Sequence, residues 1–287
     1  MVFQAGQLVT VGKNRYQIAG KLGSGSYGSV YKANDLNEAR EKAIKAIEGV
    51  DSDIQEVRAL KRLAQVESVQ KLFETFVFAG HVCLVMECYL ADLGSIAEKQ
   101  HFSQRLTCKV GFKLIDILRR VHYFGVLHRD LKPENLMISF DGRKAELKLI
   151  DFGISAFFMD QNRQIQEVRG NDYKFKVAPY SSLNMSFGRP VTEHDDLEMA
   201  LYLLMSLRKL NPFIGGSTTE KESFHKSPEL VLHGKNKFLL SLTHLLFKQQ
   251  TTKSIHYVEM LQCLKNSAKF NEKSRFTVGF GKRISLH

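Results

Sequence analysis

Four short clusters with chemical potential follow one another along the chain: Gly23-Ser-Gly25-Ser-Tyr-Gly28-Ser-Val30, then Lys45, then His128-Arg129-Asp130-Leu-Lys132-Pro-Glu-Asn135, then Asp151-Phe152-Gly153. Closely spaced glycines let a backbone turn its N–H groups toward a triphosphate without side chains in the way. A lysine supplies a cation for those phosphates. A carboxylate such as Asp130 can orient a hydroxyl and accept its proton, and Lys132 beside it can neutralise charge on a moving phosphoryl group. Asn135 and Asp151 offer hard oxygens of the kind magnesium prefers. In this order the parts form a phosphate cradle, its cation, a base and two metal ligands, the requirements of phosphoryl transfer with ATP and Mg2+ as cofactors.

The parts differ in specificity. A glycine hairpin, an exposed strand lysine and an Asp-x-Gly turn are each commonplace alone, whereas the octapeptide His128–Asn135 is not. A dinucleotide fingerprint would need its last glycine to open a helix, but Ser29-Val-Tyr31 continues as a strand. In Lys42-Ala-Ile-Lys45, strand alternation sets Ala43, Lys45 and Ile47 on one face. A lysine facing a cleft needs an acidic neighbour, and Glu56 is the candidate. His128 is expected to pack beneath its loop, and His122 and His194 to be ordinary polar or core histidines.

These groups need elements to hold them. Tyr16–Leu22, Ser29–Ala33, Ala43–Ile47, Phe73–Phe78 and Val82–Met86 read as short strands separated by turn residues. One helix interrupts them, with Ser52-x-x-Gln55 as its capping box and Ile54, Val57, Leu60 and Ala64 at helical spacing. From Leu106 onward helices dominate. Leu114, Ile117, Leu118 and Val121 form an apolar face ending near Gly125, and Leu197–Leu207 is apolar nearly all round, as in a buried central helix. Gly215-Gly216-Ser-Thr-Thr reads as a surface loop. The expected fold is α+β with two lobes: an N-terminal extension over 1–15, a β-rich lobe over 16–88, a larger helical lobe over 89–270, and a loosely held basic tail over 271–287.

Composition narrows the class. Of 287 residues, 44% are hydrophobic and 25% charged, enough for a packed core and unlike a disordered chain. The greasiest stretch, Leu197–Leu207, is about half the ~20 residues of a bilayer span, so no membrane span is expected. No targeting signal opens the chain, and Cys83, Cys88, Cys108 and Cys263 lack metal-site or disulfide spacing, so an intracellular protein with reduced thiols is expected. Cytoplasm and nucleus fit equally; the tail's basic residues are too sparse for a nuclear signal. The net charge of +11 favours acidic partners through long-range attraction, or else reflects a solvated basic surface. Nothing resembles a nucleic-acid module, and no pattern speaks to oligomeric state.

Together these residues resemble the eukaryotic protein kinase superfamily, with Lys132 similar to its serine/threonine branch. Ala178-Pro-Tyr180-Ser-Ser182-Leu-Asn184 stands where most kinases carry Ala-Pro-Glu, and resembles the Ala-Arg-Tyr-Ala-Ser-Ile-Asn segment of the casein kinase 1 family. Asp195-Asp196-Leu-Glu198 resembles the opening of that family's buried helix, and Gly125-Val-Leu-His128 with Val85-Met86 is similar to the tau-tubulin kinase branch. The resemblance runs from about Tyr16 to Ala268. It implies that Leu22, Val30, Ala43, Met86, Met137 and Ile150 line an adenine pocket with Met86 as gatekeeper. It also implies that Glu87 and Cys88 offer backbone groups to the adenine edge, and that Asp196 ties down the catalytic loop.

Departures bear on substrate choice. Lys176 and Val177 replace a Gly-Thr pair whose threonine bridges the catalytic aspartate and lysine, and Pro179 replaces an anion-binding arginine. Recognition of pre-phosphorylated substrates is therefore not expected through that position. Arg163, Arg169, Lys174, Lys176 and Arg189 form a candidate substitute anion site. Ser155 and Tyr173 are candidate phosphoacceptors, with Arg129 as a partner for a phosphate there. The expectation is a protein serine/threonine kinase acting on protein substrates, acidic ones included. A pseudokinase that binds nucleotide or scaffolds partners is the alternative, supported by Lys176 and Val177; a small-molecule kinase fits the Asp195–Glu198 match less well.

Overall fold

The computed structural model describes residues 2–25, 28–160, 162–168, 178–210, 213–252, 255–271, 275–280 and 284–287. The first part folds as a six-stranded antiparallel sheet in the order β1-β2-β3-β4-β6-β5, from β1 (Leu8–Val11), β2 (Asn14–Gly25), β3 (Gly28–Asp35), β4 (Arg40–Glu48), β5 (Leu72–Phe78) and β6 (His81–Glu87). Each strand expected from β-branched and aromatic runs lies inside one of these.

Alternation along β4 and β6 divides the core. Ile44, Ala46, Cys83 and Val85 join Tyr16, Ile18 and Tyr31 on one face. Val82, Leu84 and Met86 face the other way, into the larger cluster that runs through the second lobe. The stretch set apart as an N-terminal extension contributes β1 to the same sheet. Phe3 is fully buried, stacking on Phe78 at 5.0 Å and edge-on to Tyr31 at 5.2 Å.

Between β4 and β5 lies α1 (Gln55–Arg62). The capping box expected at Ser52 does not form: Ile54 is the N-cap and no side chain caps the helix. Glu56 in the first turn and Lys61 and Arg62 in the last complement the helix dipole instead. The helix stops before Ala64, which is exposed, and Leu63 takes the buried position.

The second lobe opens with β7 (Ala91–Asp92) and α2 (Leu93–Lys99), capped by the Asp92 carboxylate on the Ser95 N–H. Then comes α3 (Gln104–Tyr123), capped by Ser103, whose buried face includes Leu114, Ile117, Leu118 and Val121. β8 (Val126–Leu127), β9 (Leu136–Phe140), β10 (Ala145–Leu149) and β11 (Ala156–Phe157) make two small sheets that carry the catalytic segments. After α4 (Leu183–Ser186), α5 (Glu193–Leu207) runs through the core. A reciprocal box between Thr192 and Asp195 starts it, and Leu203, Leu204, Met205 and Leu207 are fully enclosed.

α6 (Thr218–Lys226), α7 (Leu240–Thr252) and α8 (Tyr257–Ala268) complete the helices. The expected Gly215–Thr219 loop is shorter than read, because Ser217 already caps α6. The terminal segment corrects a second expectation. Residues 275–280 and 284–287 are not a loose tail but dock on the second lobe through β12 (Val278–Phe280) and β13 (Ile284–Leu286). Phe276 bridges to Ala145, and Gln100 exchanges two hydrogen bonds with the Leu286 backbone at 2.8 and 2.6 Å. Among the described residues no helix is long and apolar enough to cross a membrane.

Candidate active site

A cavity of about 470 Å³ opens between the two lobes, a size usual for small-ligand sites. Leu22, Val30 and Ala43 line it from the sheet, Met137 and Ile150 from the second lobe, and Met86, Glu87 and Cys88 from the end of β6 and the residue after it. Every residue assigned to the adenine pocket therefore meets in one place. Gly23, Gly25 and Gly28 line it too. A methyl on Gly23 or Gly25 would meet nothing within 4 Å, leaving room for close approach of a ligand to the backbone. Gly28 is required by the fold itself: its φ is +121°, and a methyl there would run into the Ala46 carbonyl.

The hydrogen bonds of Glu87 narrow what it can offer an adenine edge. The Glu87 N–H already donates to the Lys71 carbonyl at 3.2 Å, and its carbonyl accepts from Gln70 Nε2 at 3.1 Å. A carbonyl can accept a second bond, so Glu87 retains an acceptor but not a donor for a base edge. Tyr89, Asp92 and Glu134 also line the cavity and were missed, because nothing in their local pattern marks them.

Alternation along β4 turns Lys45 into the cavity, where it is buried and triply bonded. Its ammonium lies 2.9 and 2.7 Å from the two Glu56 oxygens and 2.8 Å from Asp151 Oδ1. Burial works against the charge on Lys45, but Glu56 and Asp151 outweigh it and hold the lysine protonated, above its ordinary range. Burial also disfavours charge on Asp151, yet Lys45 prevails and keeps that carboxyl below its usual range. Glu56 is the more deeply buried of the two, and burial pushes its carboxyl up against the pull of Lys45.

The catalytic loop follows β8. Asp130 Oδ2 accepts from Lys132 Nζ at 2.6 Å and from Asn135 Nδ2 at 3.0 Å, and Asn135 also donates to the Asp130 carbonyl at 2.7 Å. Burial lowers Lys132, but Asp130 and then Asp151 outweigh it and hold the ammonium charged. Beneath the loop, Asp196 of α5 accepts from the N–H groups of His128 (2.7 Å) and Arg129 (2.8 Å) and from His122 Nε2 (2.9 Å). His122 and His128 are thus structural, the latter bonded to the Ile150 carbonyl at 2.9 Å and edge-on to Phe152. Arg129 and Asp151 both adopt left-handed backbone, at φ 67° and 63°, a conformation that costs about 1–3 kcal/mol and tends to occur at functional sites. The Asp196 bond to the Arg129 N–H helps hold it there.

One expected role, that of Ser155 as a phosphoacceptor, is not available as read. Arg129 is buried and donates to the carbonyls of Ile154 (2.7 Å) and Ser155 (3.4 Å), so it braces the following segment from within. Ser155 is 1% exposed, with its hydroxyl on the Phe152 carbonyl, and is no accessible phosphoacceptor. Of the candidate anion site, Arg189 is exposed against the Phe187 ring and Arg163 lies over Tyr123, bonded to its carbonyl at 3.2 Å. Arg169, Tyr173, Lys174, Lys176 and Val177 lie outside the described residues. The four cysteines are free thiols.

The protein kinase domain model matches residues 16–179, more than half of the chain. The chain belongs to the protein kinase family. The matched stretch holds the glycine hairpin, Lys45, Glu56, the catalytic loop and Asp151, and the domain has the two-lobed α+β fold of its family, whose members use ATP with a divalent metal. The kinase domain is 33% identical over 159 residues to calcium-dependent protein kinase 33 of Arabidopsis thaliana, covering 55% of this chain and 28% of that protein. It is 32% identical over 162 residues to a probable casein kinase I homolog of Encephalitozoon cuniculi, covering 54% of this chain and 50% of the relative. A longer alignment, 28% identical over 257 residues and 85% of this chain, is to a probable serine/threonine-protein kinase of Dictyostelium discoideum, of which it spans 51%. The chain thus spans between about a quarter and a half of the length of these relatives.

The residues proposed as metal ligands fit a hard divalent cation. Asn135 and Asp151 supply oxygens, and among the described residues no cluster of three His, Cys, Asp or Glu groups forms a protein-only cage. An ion held by one or two protein oxygens completes its shell with water and substrate phosphates, the habit of magnesium.

Proposed function

We propose that this protein is an ATP-dependent protein serine/threonine kinase that moves the γ-phosphoryl group of ATP to a protein hydroxyl. The observation that carries this reading is the joint arrangement of two groups: Lys45 bonded to both Glu56 and Asp151, and Asp130 bonded to both Lys132 and Asn135. In this reading adenine lies between Leu22, Val30 and Ala43 on one side and Met137 and Ile150 on the other, beside Met86, with Glu87 and Cys88 at its edge. The glycine hairpin and Lys45 hold the phosphates, and Glu56 holds Lys45. Asp130 accepts the hydroxyl proton as a new oxygen–phosphorus bond forms and the bond to the departing ADP oxygen breaks. Lys132 faces the charge that develops on the transferred group. Asn135 and Asp151 would hold Mg2+, which when bound neutralises phosphate charge.

A casein kinase 1-like character is the finer part of the proposal. Its supports are the segment Ala178–Asn184, the Asp195–Glu198 cluster and the similarity to the probable casein kinase I homolog. The net charge of +11 and the exposed Arg189 support acidic protein substrates. A scaffold without transfer would require neither Lys132 nor Asn135 to engage Asp130, and its own support, Lys176 and Val177, lies outside the described residues.

The test is metal-dependent transfer of labelled γ-phosphate from ATP to casein by the wild type and by Asp130→Asn. Loss of a positioned base predicts a fall of about a hundredfold to ten-thousandfold with nucleotide binding retained. Equal transfer by both chains, or none from a folded wild type that binds ATP, overturns the reading.

A further inference from the structure

Residues 178–186 pack on the second lobe near the catalytic loop: Tyr180 lies against the core, where burial first and then the charge of Glu134 push its hydroxyl up. The segment Ala178-Pro-Tyr-Ser-Ser-Leu-Asn-Met-Ser186 has no carboxylate of its own, and neighbouring helices hold it instead. From α5, Glu198 Oε1 accepts the Leu183 N–H at 2.9 Å and Asp195 Oδ1 accepts the Ser182 hydroxyl at 2.6 Å. From α6, Lys221 Nζ donates to the Ala178 carbonyl and to Ser186 Oγ, both at 3.0 Å. One turn further along α6, His225 meets Glu198 Oε1 at 3.0 Å and stacks on Phe247 at 4.0 Å.

Lys221 is 0% exposed, with the rings of Tyr202 and Phe213 each 6.0 Å from its ammonium. Among the described residues no carboxylate lies within ion-pair distance of it. Burying an ammonium without a paired anion is costly, and burial pushes Lys221 down to about 8 despite the attraction of Glu198. For filling space between two aromatic rings a methionine would serve at less cost. What the ammonium provides that methionine cannot is a simultaneous grip on the first and last residues of one half-buried segment.

We infer that Lys221 is a positioning residue for protein substrate: by bonding the Ala178 carbonyl and the Ser186 hydroxyl it sets the backbone of 178–186 as the wall against which the chain around the accepting hydroxyl lies. The inference deepens the proposed kinase reading and rests on it. Lys221 does not line the cavity between the lobes, so its loss should weaken protein substrate and spare nucleotide.

The test is steady-state transfer to casein by Lys221→Met, Lys221→Gln and Ser186→Ala, with hydrogen–deuterium exchange on the same proteins. Losing a charged hydrogen bond that orders a substrate wall predicts a rise of about tenfold in KM for casein in Lys221→Met, with KM for ATP within about twofold. Lys221→Gln keeps a neutral donor and recovers part of the loss. Ser186→Ala, which threatens the core least and decides the matter if the lysine variants fail to fold, raises KM for casein about two- to threefold. Unchanged KM for casein, or a fall in kcat with both KM values unmoved, overturns the inference. Should the wild type transfer no phosphate, the kinase reading falls and exchange decides the inference alone. Faster exchange at the amides of 181–187 with none around Lys45 and Glu87 sustains the grip of Lys221 on the segment, and unchanged exchange there refutes it.

Discussion

The ammonium of Lys45 stands 2.7 Å from Glu56 Oε2 and 2.8 Å from Asp151 Oδ1, so one cation ties β4 to α1 and to the residues after β10. Burial opposes charge on both carboxylates, but only at Glu56 does it prevail over Lys45 and hold the carboxyl above its usual range, so we read Glu56 as steering Lys45 rather than adding stability. Glu56→Gln keeps the shape and removes that steering. We expect kcat/KM for ATP to fall by about tenfold to a hundredfold while the melting temperature moves little. Retained kcat/KM in a folded variant would show that Asp151 alone suffices to place Lys45.

The glycines of the hairpin should separate by readout. Gly28→Ala meets the Ala46 carbonyl and a backbone φ of +121°, so it should lower stability by about 1–3 kcal/mol, read from chemical denaturation. Gly23→Ala meets nothing in the protein and should leave stability unchanged while weakening nucleotide binding, measured by calorimetry. Equal effects on stability would mean that the open space above Gly23 has no functional meaning.

Lys221 gives stability a pH dependence of definite sign. Its folded value near 8 lies below its ordinary 10.5, so in that window the unfolded chain binds more protons than the folded one. This contribution therefore makes the protein more stable as pH rises from about 8. The buried tyrosines Tyr202 and Tyr257 are pushed up and stay neutral, so their effect enters only near and above the ordinary tyrosine value of 10. Unfolding free energies of the wild type and Lys221→Met, compared between pH 7.5 and 9.5, should diverge in favour of the wild type as pH rises. A constant difference would place the lysine at its ordinary value.

The terminal hairpin should contribute to the fold. Phe276 is 3% exposed and bridges to Ala145, where β10 begins opposite the end of β9; β9 starts from the catalytic loop and β10 leads to Asp151. Phe276→Ala should lower stability by about 3–5 kcal/mol, as for other buried aromatics cut to alanine. A loss under ~1 kcal/mol would return this segment to the loose tail expected from its composition.

That expectation shows where sequence reading stops. The terminal segment reads as loose because its charges are frequent and its apolar residues few, yet Phe276 and Leu286 each find a buried place on another element. Residues 1–15 likewise lack a strong strand pattern, and β1 exists because β2 offers it an edge. Ser52 and Gln55 carry the right types for a capping box, but the chain enters α1 with Ile54 as N-cap. Ser155 looks like a loop hydroxyl and is enclosed. In each case a local pattern was overruled by a neighbour distant in sequence.

The sequence by itself determined the inventory of reactive groups, their order, the alternation that turns Lys45 and Ala43 inward, and the apolar runs that become β2 to β6, α3 and α5. These are properties of a few adjacent residues, and backbone geometry converts them directly into faces and turns. Only the tertiary structure decided which carboxylates meet Lys45, since Asp151 lies 106 residues away. It also decided that Glu87 keeps only its acceptor, that Arg129 looks inward, and that Lys221 reaches the segment near the catalytic loop. Periodicity tells a residue which side of its element it occupies; what waits on that side is settled by close packing of segments far apart in the chain.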